Sequence, residues 1–286
     1  MSANVLTAIH SIASFKNNNL KSYASTYLNR INAVGGPLEN YIKDAFANSF
    51  KITGQNKKLL HSKEFSWLGN QNHPPDLILK GSDAFEIKKI EGFKNALALN
   101  SSPPKNKLRV NDTRLTKDCR KCDGGNWKEK DIFYIVGNAK KGVIKYLLFV
   151  HGECYAADHE VYEKIYLPIK DEVDSVLTSL NLEKGKTKEI GKVKKVDPLG
   201  ITELRIRGMW TIKNPLEVFK GVFEIEEKEA FNLLAIMRKD KYDKFPKNDI
   251  NRLESDKKVI IKDVKICNPN NPAELMEAKV IICKIK

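Results

Sequence analysis

The spacing of apolar residues near the N-terminus predicts helices. Residues 4 to 32 carry apolar side chains every three or four positions, and Asn17-Asn18-Asn19 interrupts them. A recurrence of this kind is typical of amphipathic helices, so two helices are expected here. The segment Gly35-Gly36-Pro37 then opens a third helix, because proline suits a first helical turn. Its apolar stripe covers residues 38–50.

The middle and the end of the chain mix strand-like and helical patterns. Two short apolar runs, Ile132–Val136 and Tyr146–Val150, predict buried central strands. Helices are predicted for residues 161–180 and for stretches of 217–237. The tail offers two further strand-like runs, at 259–266 and 280–285, separated by Asn268-Pro269-Asn270-Asn271-Pro272. The expected fold class is therefore α/β, with a mixed central β-sheet flanked by helices.

A β-hairpin is predicted for Pro74 to Lys88, read PPDLILKGSDAFEIK. Residues 76–80 and 84–88 form its two strands, and Gly81-Ser82 lies where a two-residue turn belongs. Side chains of a strand alternate between the faces of a sheet. Glu86 and Lys88 therefore share the face opposite Phe85 and Ile87, and the pairing would bring Asp76 beside Glu86.

Two carboxylates and an amine would thus meet at one end of a sheet. Asp76 and Glu86 supply oxygen ligands that suit a hard cation such as Mg²⁺, and Ile87 completes the predicted metal set. Such a centre hydrolyses phosphodiesters by polarising a phosphoryl oxygen and activating water, while Lys88 orients that water or offsets charge. Pro75-Asp76 and Glu86-Ile87-Lys88 resemble the PD-(D/E)xK nuclease signature. The alternative is a surface hairpin whose charges are merely solvated.

Another acid, Glu39, falls in the first turn of the helix that precedes the hairpin. Nucleases with this signature often carry an acid there, so Glu39 is a further catalytic candidate. The alternative is a glutamate that complements the helix dipole.

The charge balance favours a polyanionic partner. Lysine and arginine number 50 against 36 acids, a net charge of +14, although a lysine-rich composition would produce the same excess. The 286 residues allow one large domain or two small ones; we expect a catalytic and DNA-binding domain over 1–240 and a C-terminal β extension, 241–286, packed on it. No run of eighteen apolar residues or signal peptide is evident, so cytoplasmic retention and no membrane contact are expected.

Polar and basic residues of two segments are candidates for DNA contact. One is the proline-interrupted loop after Leu99 with the basic run that follows it, and the other is the strand-like segment around residue 206, whose arginines would bind guanine or phosphate. The alternative for the two arginines is a salt bridge on a solvent face. The candidates are Asn100, Ser101, Ser102, Lys105, Lys107, Arg114, Arg120, Lys121, Arg205, Arg207 and Trp210.

Five cysteines, an odd number, do not suggest a disulfide framework. The pair Cys119 and Cys122, with His151 and Cys154, has the composition of a Cys3His structural zinc site. The alternative is a set of free cytosolic thiols, some packed as small hydrophobic side chains.

Several ordered blocks resemble the NgoPII family of type II restriction endonucleases, from about residue 30 to about residue 240. They are residues 69–76, 86–91, 96–102, Cys119-x-x-Cys122, 196–202 and 205–210. The resemblance implies a restriction-endonuclease-like core and a homodimeric, Mg²⁺-dependent enzyme, with one or two ions per active site, that cuts double-stranded DNA at a short palindrome, GGCC for the family's named member. Asp76, Glu86 and Lys88 match the family's catalytic signature, whereas His151 and Cys154 match no known feature of it.

The resemblance also implies a bacterial or archaeal restriction-modification system, with a methyltransferase that makes no direct contact with the nuclease. Two other functions stay open at this point. One is a repair or recombination nuclease that recognises DNA structure, and the other is a non-catalytic DNA-binding protein with a zinc module around Cys119. Discrete fragments from a plasmid would favour restriction over both.

Overall fold

A computed structural model describes residues 3–24, 36–70 and 73–285. The strands are β1 (Phe65–Asn70), β2 (His73–Leu79), β3 (Ala84–Ile90), β4 (Leu97–Asn100), β5 (Lys107–Arg109), β6 (Glu129–Lys140), β7 (Val143–His151), β8 (Gly191–Val193), β9 (Leu204–Ile206), β10 (Trp210–Ile212), β11 (Phe231–Arg238), β12 (Val259–Asn268) and β13 (Asn271–Ile285). The helices are α1 (Val5–Phe15), α2 (Lys21–Ala24), α3 (Gly36–Phe46), α4 (Gly54–Glu64), α5 (Lys117–Lys121), α6 (Gly152–Tyr155), α7 (His159–Ser179), α8 (Pro215–Val218), α9 (Lys239–Asp243) and α10 (Lys247–Glu254).

A large mixed sheet forms the centre of the protein. Its strands follow the order β1-β2-β3-β6-β7-β11-β13-β12, and β5 pairs beside β6. The β3–β6 and β7–β11 pairs are parallel and the other pairs along this path are antiparallel. Two small antiparallel sheets, β4–β10 and β8–β9, lie outside it. The predicted mixed central sheet flanked by helices is confirmed.

Apolar side chains cover both faces of this sheet and form two clusters. On one face, Leu77 and Phe85 pack with helices α1, α3 and α10, and the Phe46 ring of α3 lies 4.5 Å from the Phe85 ring. On the other face, Ile78 and Tyr134 pack with α5, α6 and α8. Burial on both faces explains why the central strands read as continuous apolar runs.

The structure corrects several predicted elements. Helical stretches were predicted within 217–237; α8 ends at Val218, and residues 231–237 belong to strand β11 in the interior of the sheet. A continuous apolar run such as 231–237 has no period that separates a buried strand from a helix. The structure also contains strand β4 after the hairpin and helix α4 before β1.

The helices predicted at the N-terminus and at 161–180 are present, although residues 25–32 of the former and Gly35 lie outside the described residues. The two tail strands pair antiparallel, and β13 joins the interior of the central sheet beside β11 while β12 forms its edge. Among the helices of the described residues, none is both long and apolar enough to cross a bilayer.

Candidate active site

The hairpin of β2 and β3 brings Asp76 and Glu86 together. Its register pairs Leu77 with Phe85 and Ile78 with Ala84, which continues to Asp76 opposite Glu86. The backbone N–H of Ile87 donates a 2.5 Å hydrogen bond to Asp76 Oδ2. The predicted alternation is therefore present, since Asp76, Glu86 and Lys88 project from the face opposite Phe85.

The connection between the two strands is longer than the predicted two-residue turn. Gly81 has a φ of 63°, and the loop closes where the N–H of Leu79 donates to the carbonyl of Asp83 at 3.0 Å. Asp83 is buried and binds Lys241 at 2.6 Å, so the last loop residue is held by the protein body. The sequence of the hairpin alone does not predict this long-range contact.

Strand β1 supports the start of β2, where Asp76 lies. A Cβ atom at Gly69 would lie 2.2 Å from the carbonyl oxygen of Pro75 and 2.5 Å from that of His73. The indole Nε1 of Trp67 donates to the same Pro75 oxygen at 3.0 Å. Only glycine permits this close approach, which fixes the backbone just before Asp76.

The charged side chains of the site are largely buried, and the acids outnumber the bases. Lys88 Nζ lies 2.9 Å from Glu86 Oε1, and both side chains are about four-fifths buried. Burial, with the negative charge of Glu86, raises the pKa of Asp76 well above its usual range. Burial alone would lower the pKa of Lys88, but the carboxylates of Glu86 and Asp76 raise it. Two acids face one ammonium group, so a cation would relieve the excess negative charge.

This donor set fits a divalent metal ion. Asp76 and Glu86 offer carboxylate oxygens, the type of ligand that hard cations prefer. Asp76 Oδ2 already accepts the N–H of Ile87, and one oxygen of Glu86 accepts Lys88, so each carboxylate keeps capacity for a further partner. The raised pKa of Asp76 indicates the same, because an ion at this position would favour its charged form.

Glu39 lies in the first turn of α3 and is half-buried. Its charge raises the pKa values of both Asp76 and Lys88, after the larger effects of burial, Glu86 and the ion pair itself. Its nearest described cation is Lys43, at 3.9 Å. Within the described chain, Glu39 does not join Asp76 and Glu86 in a cluster whose ligand atoms all lie within 4.8 Å of one another. Its influence on the site is electrostatic.

Sequence reasoning missed Tyr134, which anchors the loop that borders the site. Tyr134 is the β6 residue paired with Glu86. Its hydroxyl accepts from the N–H of Lys105 at 2.6 Å and donates to the Lys105 carbonyl at 3.2 Å. In the sequence, this tyrosine is one member of the apolar run I-F-Y-I-V, where nothing marks its hydroxyl as a loop anchor.

Asp112, also missed, holds the side chain of the same Lys105. The ammonium group lies 3.4 Å from Asp112 and donates to Ser102 Oγ. Burial lowers the pKa of Lys105, although the charges of Asp112 and Glu86 oppose this effect. Lys105 lies beside the active site, because Tyr134, which binds its backbone, pairs with Glu86 in the sheet.

Gly152 allows the loop to lie this close to the sheet. A Cβ atom there would meet the carbonyl oxygens of Asn106 at 2.4 Å and Lys105 at 2.8 Å. Helix α6, through Gly152, and strand β6, through Tyr134, therefore both hold the loop Ser101 to Lys107 in position.

The predicted DNA-contacting residues fall into two groups. Asn100 and Trp210 pair across the β4–β10 sheet, so the structure brings these two candidates together. Other members of the first segment are held by the protein itself: Arg114 donates to the carbonyl of Ser101 at 3.1 Å, Arg120 donates to the Asp112 carbonyl at 2.9 Å, and Lys107 lies 2.8 Å from Glu129, whereas Lys121 is exposed. A cleft of about 440 Å³ runs between this segment and α7.

Arg205 and Arg207 share one carboxylate. Arg205 donates twice to Glu189, at 2.8 and 3.0 Å, and Arg207 Nε lies 2.6 Å from Glu189 Oε1. Both guanidinium groups are about half exposed. The salt-bridged alternative considered from the sequence is therefore present in the free protein, and base contact would require these arginines to exchange or share that partner.

The four residues considered for a Cys3His zinc site do not assemble one. Cys119, Cys122 and Cys154 pack in the apolar cluster on the face of Tyr134, whereas His151 stacks on Phe133, whose side chain lies on the other face. Burial, and to a smaller extent the neighbouring Cys122, raises the pKa of Cys119 to about 12, a value typical of an unreactive thiol. Among the described residues, the metal-ligand cluster that does form contains no cysteine.

Comparison with known proteins identifies the family. The NgoPII restriction endonuclease family model matches residues 3–267. Type II restriction enzyme NgoPII of Neisseria gonorrhoeae is 44% identical over 279 residues, which cover 97% of this chain and 98% of that protein. This chain belongs to the NgoPII restriction endonuclease family. No solved structure matches the chain.

Membership of the NgoPII family confirms the enzyme class inferred from the sequence, a type II restriction endonuclease, over the two alternatives. The match extends beyond the segment in which the resemblance was recognised, into β12.

Proposed function

We propose that this restriction endonuclease hydrolyses phosphodiester bonds of double-stranded DNA at a short palindrome, with Mg²⁺ held by Asp76, Glu86 and the carbonyl of Ile87. The observation that carries the proposal is the confined, negatively charged hairpin site, in which two carboxylates from adjacent strands face one ammonium group. The family match supports DNA as the substrate.

The residues of the hairpin would divide the work. Mg²⁺, when bound, would polarise a phosphoryl oxygen and lower the pKa of a water ligand. Lys88, held at 2.9 Å from Glu86, keeps its proton because nearby carboxylates raise its pKa. It is therefore suited to donate hydrogen bonds to the attacking water or to the charged phosphate oxygens, and less suited to act as a base. Glu39 adds negative charge that strengthens cation binding.

The loop from Asn100 to Lys107, with Arg114, Arg120 and Lys121, would contact the phosphate backbone beside this centre. Trp210, which pairs with Asn100, would contact DNA beside this loop, and Arg205 and Arg207 would approach the bases or phosphates from the β9 region. In this proposal Glu189 holds the two arginines in the free protein, and DNA competes with it for their guanidinium groups. A net charge of +14 supports a polyanionic ligand.

We propose a homodimer, since a palindrome presents the same half-site twice and two-fold symmetry matches it. The target GGCC, the bacterial or archaeal cytoplasm and a companion methyltransferase without direct contact belong to the same proposal. They follow from the family and not from the geometry.

Digestion of a sequenced plasmid with Mg²⁺, followed by mapping of the fragment ends, tests the proposal. Discrete fragments whose ends share one palindrome are the expected result, and ends at GGCC would identify the target. Digestion from DNA ends, or a smear without a shared sequence, would refute site-specific cleavage. Sedimentation with and without an oligonucleotide that contains the mapped site measures the dimer, and a monomer on cognate DNA contradicts it.

A further inference from the structure

A second cluster of ligand atoms lies away from the active site, at the start of β6 and the end of β7. Asp131, His151 and Glu153 each offer one atom, and all three atoms lie within 4.8 Å of one another. Asp131 shares its sheet face with Phe133, on which His151 stacks at 4.9 Å. Asp76 and Glu86 project from the opposite face, with Ile78 and Tyr134. The two sites are therefore separate.

His151 is the observation that points to a ligand. Its side chain is 1% exposed, and neither ring nitrogen has a hydrogen-bond partner. A buried imidazole without partners is costly, so the arrangement calls for an explanation. Its Nε2 atom faces Asp131 Oδ1 at 3.7 Å and Glu153 Oε2 at 4.0 Å, too long for hydrogen bonds.

These separations are close to those of ligands around one metal ion. Zinc binds nitrogen and carboxylate oxygen at about 2.0–2.2 Å, which places tetrahedral ligands roughly 3.4 Å apart. The third pair of atoms, on Asp131 and Glu153, lies within 4.8 Å, so side-chain shifts of about an ångström or less would complete the geometry. Asp131 and Glu153 keep about a quarter of their side-chain surface exposed, so an ion and a water ligand have access.

The remaining carboxylate oxygens are oriented by cations. Asp131 Oδ2 lies 2.8 Å from Lys241, and Glu153 Oε1 lies 3.7 Å from Arg238 and 3.8 Å from Lys107. Each cation has a closer acid elsewhere: Asp83 at 2.6 Å for Lys241, Asp240 at 2.8 Å for Arg238 and Glu129 at 2.8 Å for Lys107. Negative charge is therefore left on the two carboxylates, and their outer oxygens have the partners typical of metal ligands.

We propose that Asp131, His151 and Glu153 bind a divalent cation of the zinc class, distinct from the catalytic ion. One imidazole and two carboxylates suit zinc better than Mg²⁺, which seldom takes nitrogen ligands. The ion would join the start of β6 to the end of β7 and to α6, which supports the loop beside the active site. Its role would be structural.

Metal titration tests this proposal without DNA. All proteins carry Asp76→Asn and Glu86→Gln to disable the hairpin site and Cys267→Ser to remove the exposed thiol. After chelator treatment, the protein should bind one equivalent of Co²⁺ with a visible absorption band, and zinc should displace it and raise Tm. His151→Gln and Glu153→Gln should each weaken binding about tenfold or more.

Glu153 is partly exposed, so its variant tests the site even where the histidine variant does not fold. Asp243→Asn, an exposed acid of α9, is the matched control and should bind as the parent does. Absence of a saturable first equivalent overturns the proposal. Equal affinity in His151→Gln, Glu153→Gln and the parent does so as well, and would leave the cluster as an ion-pair network only.

Discussion

The hairpin of β2 and β3 and the segment 159–207, which contains α7, β8 and β9 and is here called the arm, hold their charged side chains in opposite ways. In the hairpin, Asp76, Glu86 and Lys88 are largely buried, and the two acids outnumber the one base. Strands β1 and β6 flank the hairpin in the sheet and hold its backbone. In the arm, Arg205 and Arg207 are half exposed and share Glu189. Within the proposed function, the buried hairpin suits chemistry and the exposed arginines suit adjustable contact with DNA.

The apolar residues of the two regions differ in the same way. Leu77, Leu79 and Phe85 of the hairpin are at most 1% exposed, whereas Leu177 is the α7 residue that is buried. Apolar side chains of the arm that remain exposed include Val161, Ile165, Ile169, Val176, Leu180 and Leu204. A region with few buried contacts opens at low cost in free energy, so we expect the arm to open more readily than the hairpin.

The largest effect should come from the hairpin. Asp76→Asn should reduce the cleavage rate by about 10³-fold or more, because it removes a metal ligand and its charge. Lys88→Ala should cause a similar loss through the transition state. Steady-state cleavage of a plasmid measures both. Asp243→Asn and Lys257→Ala, which change exposed residues, should cut like the wild type. Undiminished cleavage by both hairpin variants would remove the proposed centre.

The sequence predicted the local features of these regions and missed those that depend on residues far apart in the chain. Period-two alternation was enough to place Glu86 and Lys88 on one face, because that rule is local. The role of Tyr134 depends on a hydrogen bond to Lys105, 29 residues away, and the longer loop depends on Asp83 binding Lys241. Strand β11 was missed because its apolar run is buried on both faces. Long-range partners leave no periodic signal in the sequence.

The next effect tests whether the hairpin depends on its neighbouring loop. Tyr134→Phe should lower the free energy of unfolding by about 1–3 kcal/mol, since it leaves the partly buried backbone N–H and carbonyl of Lys105 without their partner. Urea unfolding measures this, and cleavage should fall with it because Ser101 to Lys107 borders the site. Tyr166→Phe, on the exposed arm, is the control. Equal stability of the two variants would show that the loop needs no such anchor.

A smaller effect is expected in the arm. Arg207→Ala should weaken binding to cognate DNA by about tenfold. The cleavage rate of the bound complex should be nearly unchanged, because Arg207 contacts Glu189 and, among the described residues, no residue of the hairpin site. Fluorescence anisotropy and single-turnover cleavage separate the two quantities. Glu189→Gln sharpens the comparison, since it frees both arginines and should raise DNA affinity. A loss of single-turnover rate in Arg207→Ala would mean that the arm takes part in chemistry.

The smallest expected effect concerns stability and uses the raised pKa of Asp76. Burial, with Glu86, makes this carboxyl harder to ionise in the folded protein than in the unfolded chain, where its pKa is about 3.9. The folded state therefore binds more protons, and without a divalent cation its stability falls as pH rises from about 4 towards the folded pKa. Asp76→Asn lacks this penalty. In EDTA it should be as stable as the wild type near pH 4 and more stable at pH 8, by on the order of 1 kcal/mol.

Magnesium should reverse that difference, because the ion stabilises the charged pair in the wild type and has no equivalent site in the variant. Urea unfolding at both pH values, with EDTA or Mg²⁺, measures all four conditions, and Asp243→Asn is the control. A wild type that gains stability over Asp76→Asn with rising pH in EDTA would mean that the carboxyl is satisfied without metal. The hairpin would then resemble the arm, with its charges already neutralised, and the contrast between the two regions would not hold.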